Sequence, residues 1–497
     1  MRVSFNMIYN QSVSGMNSRL AEMMRLNEQS ASQKKLNRPS DDPAGMARSL
    51  DLRSAQSAMD QYLENIDTAE AWLTQADDEL RLASNAVTRL KEIAEQAATG
   101  TYSNDQREMI AAEARELMAE LVSIANSEFV GDSIFAGSKI DTNAYALGLG
   151  ATVRDAEGES LEVLAVTGNS NSTTYIEFLD SGQVGADTLR YRYTTDNGDT
   201  WQNAELAAGD TTIVCGGVRT EIAAGSTVAA TSEEGAGDGS VLWLRPAAYY
   251  QGNVEGDAEV VHHGVSPIAA EAQGVFSSNV LVRVDSGGTL PGPIEYSYST
   301  NGGSTWSSGH TTSDATFGIP GGYVELASNG GDTLAAGDQF LVQPQKAAIL
   351  VDISPSSTVQ INSIGKDIFG GLYTPVGESQ AVAAVPSEEN LLETVGELVG
   401  YLETNNQDGA AECLDKLSGA HARLTVALGD IGGRETRLEF ARNSVETIKA
   451  TTAANISDIE DVDITQLTID LAKAEYAYQA VLRSSSQIMN LSLLDYI

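Results

Sequence analysis

Two short segments hold the residue types that most invite a chemical reading. Thr194-x-Asp196-x-Gly198-x-Thr200-Trp201 and Ser299-x-Asn301-x-Gly303-x-Thr305-Trp306 repeat one pattern at an offset of 105 residues. In each, Asp or Asn and Gly suit a hairpin turn, Ser or Thr hydroxyls suit bonds to the loop backbone, and the Trp is expected to pack beneath. Cleavage of a glycosidic bond would also need two carboxylates at a defined separation, which sequence alone does not supply. His262-His263 is the only histidine pair. Neighbours on a strand point to opposite faces, so an exposed loop or edge is expected rather than a shared metal. His421, between Leu417 and Leu424, reads as a polar residue of a helical seam. Cys215 and Cys413 lie far apart and form neither a CxxC site nor a disulfide framework. Buried or spare thiols are expected. The Asp196–Asp199 acids lack EF-hand spacing, and Gly365-Lys366 lacks the upstream glycine of a P-loop. With no HExxH and no GxSxG, no catalytic constellation emerges, and neither an enzyme nor a cofactor or metal site is expected.

The elements around these turns differ sharply along the chain. From Ile66, apolar residues keep heptad spacing for five repeats: Ile66, Leu73, Leu80, Val87 and Ala94 alternate with Ala69, Ala76, Ala83, Leu90 and Ala97. A second ladder closes the chain with Ile464, Leu467, Leu471, Ala474, Tyr478, Val481, Ser485 and Ile488. Such seams require partner helices, because a lone helix would leave its stripe in water. Each Leu, Ile or Val side chain so buried contributes roughly 1.5–3 kcal/mol. The candidate partners are the opposite end of the chain and further copies of it. Residues 1–36 are mildly amphipathic and alone would form a marginal helix at best. The run Pro39-Ser40-Asp41-Asp42-Pro43 forbids a continuous helix. Asp41 or Asp42 suits the cap of the next helix, with Pro43 in its first turn. That helix is expected over about 44–99, ended by Gly100 and a turn at Tyr102–Asp105, and a third over about 105–126 with Ile110, Leu117, Leu121 and Ile124 on one side.

From about residue 129 to 376, Gly, Thr, Ser and β-branched residues read as strands and turns. Helical pattern returns near Glu388, with interruptions expected at Gly429–Gly433 and at Ser457–Asp463. The middle repeats itself. Thr174–Asp180 aligns with Asn279–Asp285, Tyr191–Trp201 with Tyr296–Trp306, and Gly216-Gly217 with Gly321-Gly322, all at an offset of 105. The fold class is therefore α+β and multidomain: helical coiled-coil or bundle ends with an inserted β-rich region of two repeated modules. The expected divisions are 1–43 with 464–497, 44–140 with 380–463, and 141–379, with repeats at about 145–265 and 266–350.

Composition narrows the function classes. A net charge of −39 over 497 residues opposes nucleic acid, which needs clustered Lys and Arg, and opposes an anionic membrane surface. No run of 18 apolar residues predicts membrane insertion. Met1–Asn6 shows no apolar h-region or cleavage site, so no Sec-type signal peptide is expected.

Both ends resemble the flagellin and hook-associated family, over roughly 140 and 110 residues. Arg38–Gly45 resembles the break between the innermost and next domains of that family, and Ile459–Asp463 its counterpart on the returning chain. Within the family, the members at the junction between hook and filament are most similar. Their features are the start from Met1 to Tyr9, the two prolines Pro39 and Pro43, Phe135-Ala136-Gly137-Ser138-Lys139, and the ending Leu491–Ile497. Ala44-Gly45 is instead flagellin-like, and the middle is large for a junction protein. The resemblance implies a tube whose inner layers are the terminal helices and whose β modules project outwards. It implies an extracellular flagellar location, reached through the flagellar export apparatus without a cleavable signal peptide. The implied partners are further copies, the other junction protein, flagellin and an export chaperone. A filament-forming flagellin is the alternative. The turn pattern also resembles the Asp boxes of sialidases, where the boxes are structural, so glycan binding or processing by the modules is a minor alternative.

Overall fold

The computed structural model describes all residues except 1–4, 100–103, 157, 233–237, 254–257, 275, 277, 345–346, 376–379 and 495–497. The expected turn residues Gly100, Tyr102 and Ser103, the first four residues and the last three thus lie outside the described residues. The helices are α1 (Phe5–Ser32), α2 (Pro43–Ala98), α3 (Asn104–Ala125), the short α4 (Gly365–Phe369), α5 (Leu391–Glu403), α6 (Gln407–Glu460) and α7 (Ile464–Leu494). The chain divides into two compact units: Met1–Thr68 with Asp352–Thr358 and Arg437–Ile497, and Ala69–Val351 with Val359–Thr436. Residues 43 and 464, expected as domain limits, are therefore breaks between helices within one compact unit.

In the first unit, α2 starts where Asp42 caps it. Its Oδ1 accepts from the Ala44 amide at 3.1 Å and the Gly45 amide at 3.0 Å, and Pro43 has no amide hydrogen to leave unpaired. Asp41 instead folds the preceding turn, accepting from the Asn37 and Arg38 amides. α1 packs on α7 around buried Leu26, Leu467 and Ala474, with Val462 and Leu471 against them.

In the second unit, Leu73, Leu80, Val87 and Leu90 are fully buried along α2. α6 runs antiparallel to this stretch: Thr74 bonds Glu435, Ser84 bonds His421 at 2.9 Å, and Gln407 donates to the Ala98 carbonyl. In α3 the buried stripe is Ala111, Ala114, Met118, Leu121, Val122, Ile124 and Ala125, so Leu121 and Ile124 lie on it as expected, whereas Ile110 and Leu117 are only half-buried. Of the two interruptions expected in the returning helices, the one at Ser457–Asp463 is present, between α6 and α7, and the one at Gly429–Gly433 is not. α6 is continuous through Gly429, Gly432 and Gly433. Its large buried apolar residues, Leu417, Leu424, Ile431, Leu438 and Val445, recur every seventh residue. The three glycines fall on the other face, where an added Cβ would meet nothing within 4 Å, so they weaken the helix without breaking its seam. The other break is Thr404–Asn406, where Asn405 takes φ 52°.

Each β module is a two-layer sandwich. In the first, Val241–Tyr250 lies between Tyr145–Arg154 and Thr174–Phe178, and the sheet continues through Leu189–Thr194 to Gln202–Leu206. A three-stranded layer, Val163–Gly168, Val218–Ile222 and Thr212–Cys215, closes over Ile176, Phe178, Leu189, Ile213 and Leu242. The second module has a five-stranded layer over Ile268–Gly274, Gly322–Ser328 and Thr316–Ile319, around Val282, Phe317 and Phe340. Glu259–His263 is the edge strand of that five-stranded layer, paired with Gln339–Gln343. The second module therefore begins before residue 259, not at 266. Nor is the repeat offset constant. Tyr175 pairs with Thr194 where Leu281 pairs with Ser299, and the tight turn at Gly216-Gly217 corresponds to Pro320-Gly321 rather than Gly321-Gly322. Single-residue differences in the loops shift the register by one each way.

Candidate functional site

The first unit joins the two chain breaks. Lys34 and Asp461 form an antiparallel bridge; the Lys35 amide donates to the Glu460 carbonyl and the Val462 amide to the Gln33 carbonyl. The break after α1 and the break before α7 are thus one short ladder. Glu460 lies at its centre with its side chain only 5 % exposed. Its carboxylate accepts from Lys34 Nζ at 2.7 Å, from Arg53 and from the Ser49 hydroxyl. Burial alone would raise its pKa, but the bonds from Arg53, Lys34 and Ser49 outweigh that and hold it at about 2. On the far side of the break, Asp463 caps α7 by accepting from the Thr465 and Gln466 amides. Sequence reasoning recognised both breaks but missed Glu460, Ser49 and Arg53, because nothing in their spacing links positions 49 and 460.

The terminal helices leave apolar side chains in water. Tyr476 is 79 % exposed and Met24 63 %, and Met7, Tyr9, Ile469 and Leu482 are exposed as well. Along the expected terminal ladder, Leu467 is buried, while Leu471, Tyr478 and Val481 are half-buried. Ile464 departs from it: as the first residue of α7 it is 58 % exposed, whereas Val462 packs against the cluster of Leu26, Leu467 and Ala474. The helix reaches Ile488, whose side chain lies outside the described residues. Ile66, Leu73, Leu80, Val87 and Leu90 are fully buried within the single chain.

The two repeated turns match almost bond for bond. The Thr194 hydroxyl bonds Asp196 and accepts from the Gly198 amide at 3.0 Å; the Ser299 hydroxyl bonds Asn301 and accepts from the Gly303 amide at 2.9 Å. Asp196 and Asn301 each accept from an amide four residues on, at 2.9 Å. Gly198 and Gly303 take φ 85° and 87°, the left-handed region that favours glycine. Arg192 lies 3.9 Å over the ring of Trp201, and Arg283 4.4 Å over that of Trp306. Asp196 is thereby engaged as a turn-former, its pKa lowered chiefly by the Thr200 hydroxyl and amide. Glu177 is tied to Arg192 at 2.6 Å and to the Tyr175 hydroxyl.

The remaining candidates are dispersed. His262 stacks on Phe340 at 4.4 Å and lies 3.4 Å from Asp338, while His263 is exposed. Cys215 and Cys413 are free and buried, and burial raises the Cys215 thiol to about 12. Among the described residues no group of three or more His, Cys, Asp or Glu is arranged to hold a metal, and no helix is long and apolar enough to cross a membrane.

Comparison with known proteins bears on both ends. Residues 3–140 match the bacterial flagellin N-terminal helical region and residues 414–497 the bacterial flagellin C-terminal helical region. Flagellar hook-associated protein 3 of Salmonella typhimurium is 32 % identical over 146 residues, 29 % of this chain and 46 % of that one. The protein of the same name from Escherichia coli is 30 % identical over 164 residues, 33 % of this chain and 52 % of its own. The flagellar filament 30.7 kDa core protein of Treponema maltophilum is 25 % identical over 194 residues, 36 % of this chain and 67 % of that one. This chain spans about half the length of the two hook-associated relatives. A crystal structure of flagellar hook associated protein-3 from Legionella pneumophila aligns over 82 % of this chain and 98 % of that one, at 15 % identity and a TM-score of 0.30. The two ends of the chain are thus similar to the helical regions of bacterial flagellin, and part of the chain is similar to proteins named flagellar hook-associated protein 3.

Proposed function

We propose that this protein is a structural component of the bacterial flagellum that joins hook to filament by helical self-assembly of its terminal helices. The observation that carries this reading is the face left by α1 and α7: paired with each other, yet presenting Met24, Ile469 and Tyr476 to water. Identical patches meeting head-to-tail generate a helical array. Residues 1–43 with 464–497 form the assembling layer, and Ile464, Leu467, Leu471, Tyr478, Val481 and Ile488 line its seam. The neighbours are further copies, the other junction protein on the hook side and flagellin on the filament side. An export chaperone holds the terminal seam before the chain leaves the cell. The role is structural, without catalysis. Its hook-associated relatives support the junction. The match to a Treponema filament core protein favours a second reading, a flagellin forming the filament itself.

Immunogold electron microscopy of intact cells, with antibody to residues 145–350, separates the two. Label confined to the boundary between hook and filament is expected. Label along the whole filament would select the flagellin reading, and unlabelled flagella would refute both.

A further inference from the structure

The first β module carries a cavity that assembly of the chain ends does not use. Its volume is about 490 Å³, within the roughly 300–1,000 Å³ of small-molecule sites. Three aromatic rings lie in a row along it. Trp243 and Tyr175 are 5.1 Å apart, and Tyr175 and Trp201 6.0 Å. Asn197 enters from the repeated turn, Gln407 and Asp408 from the start of α6, and Arg154 from the end of its strand. The Trp243 indole N–H donates to the Thr404 hydroxyl at 3.0 Å and fixes the α5–α6 loop against the sheet.

The second module serves as an internal control. Its turn has the same bonds, but the ladder positions of Tyr175 and Trp243 are occupied by Leu281 and Leu341. The turn therefore needs only its own Trp, and the other two rings are an addition confined to the first module. Among the described residues, four non-glycine residues have positive φ, and two of them, Asn197 (57°) and Asn405 (52°), line this one cavity. Such conformations persist where the surroundings hold them and concentrate at ligand sites. Asn197 Oδ1 is out of solvent and has no hydrogen-bond partner in the protein, which leaves an acceptor to be satisfied from the cavity.

We propose that this cavity binds a neutral saccharide. The half-buried rings of Tyr175 and Trp201 suit the weakly positive C–H face of a sugar ring, since ring faces are negative, and Trp243, only 2 % exposed with Arg154 5.0 Å over its ring, backs them. The amides of Asn197 and Gln407 suit hydroxyls, which both donate and accept. The lining carries one cation, Arg154, and two acids, Asp408 and Glu177, the latter already paired with Arg192, so it offers no cluster of cations such as a phosphate or polyanion would require. The polar lining disfavours a lipid. The site does not depend on where along the flagellum the protein stands.

The test is tryptophan fluorescence and saturation-transfer NMR on the full chain, with chitotriose, cellotriose and maltotriose as probes and inorganic phosphate as the charged control. At least one trisaccharide is expected to bind at millimolar or lower concentration. Trp201→Ala and Asn197→Gly should each weaken that binding at least about tenfold. Asn197→Gly keeps the left-handed backbone, so it decides the matter if circular dichroism shows that Trp201→Ala has not folded. Failure of all three sugars to bind, binding unchanged in Asn197→Gly, or phosphate displacing the sugar would each overturn the proposal.

Discussion

The paired chain ends and the β modules bury their apolar residues on different scales. The contact between α1 and α7 centres on three buried side chains, Leu26, Leu467 and Ala474. Each module closes over fifteen. Two leucines and an alanine remove far less apolar surface from water than fifteen mostly large side chains do. The modules hold their own cores, whereas the ends hold a thin contact and an exposed apolar face. A chain built this way would keep its modules folded whether or not its ends are paired with further copies.

The largest expected effect comes from charging the thin contact. Leu471→Asp places a carboxylate beside Leu26 and Leu467 and should abolish assembly while the modules keep their β-sheet circular dichroism. Normal filaments bearing this variant would break the contrast. The converse change is Phe340→Ala, which empties a fully buried position of the second module. It should cost about 3–5 kcal/mol in urea unfolding of that module and leave α1 and α7 able to assemble. Unfolding of the whole chain at one denaturant midpoint would show that the two regions are not separate in stability.

A smaller effect concerns Glu460. Its folded pKa of about 2 lies below the ordinary 4.5. As pH falls, the unfolded chain takes up this proton first, so the contribution to stability is fully present above about 4.5 and is lost as pH falls through about 2. Thermal melts of the wild type should show this loss, and Glu460→Gln should lower the melting temperature at neutral pH and flatten the acid dependence. The smallest effect sharpens the comparison within α6: Gly429→Ala, Gly432→Ala and Gly433→Ala should each stabilise the monomer by up to about 1 kcal/mol, since a Cβ there meets open space. A loss of stability would put those glycines on a packed face.

What the sequence revealed, and what it concealed, follows the same division. Local rules sufficed for the start of α2, because Asp42 and Pro43 form a cap within three residues. The seam from Ile66 to Ala97 was visible because its period is set by one helix. Gly429–Gly433 misled because composition does not say which face of a helix a glycine occupies; the seven-residue spacing from Leu417 to Val445 carried the missing signal. Asn405 was missed because asparagine tolerates the left-handed region without a glycine or proline to announce it. The repeated turns were legible bond by bond, whereas the row of Trp201, Tyr175 and Trp243 was not. It exists only after four strands pair in register.

Hydrogen exchange, followed by mass spectrometry on free and assembled protein, tests the division most directly. Peptides of α1 and α7 should gain protection on assembly while those of residues 145–343 stay unchanged. Protection gained in the modules, with α1 and α7 unchanged, would contradict the assignment of assembly to the chain ends.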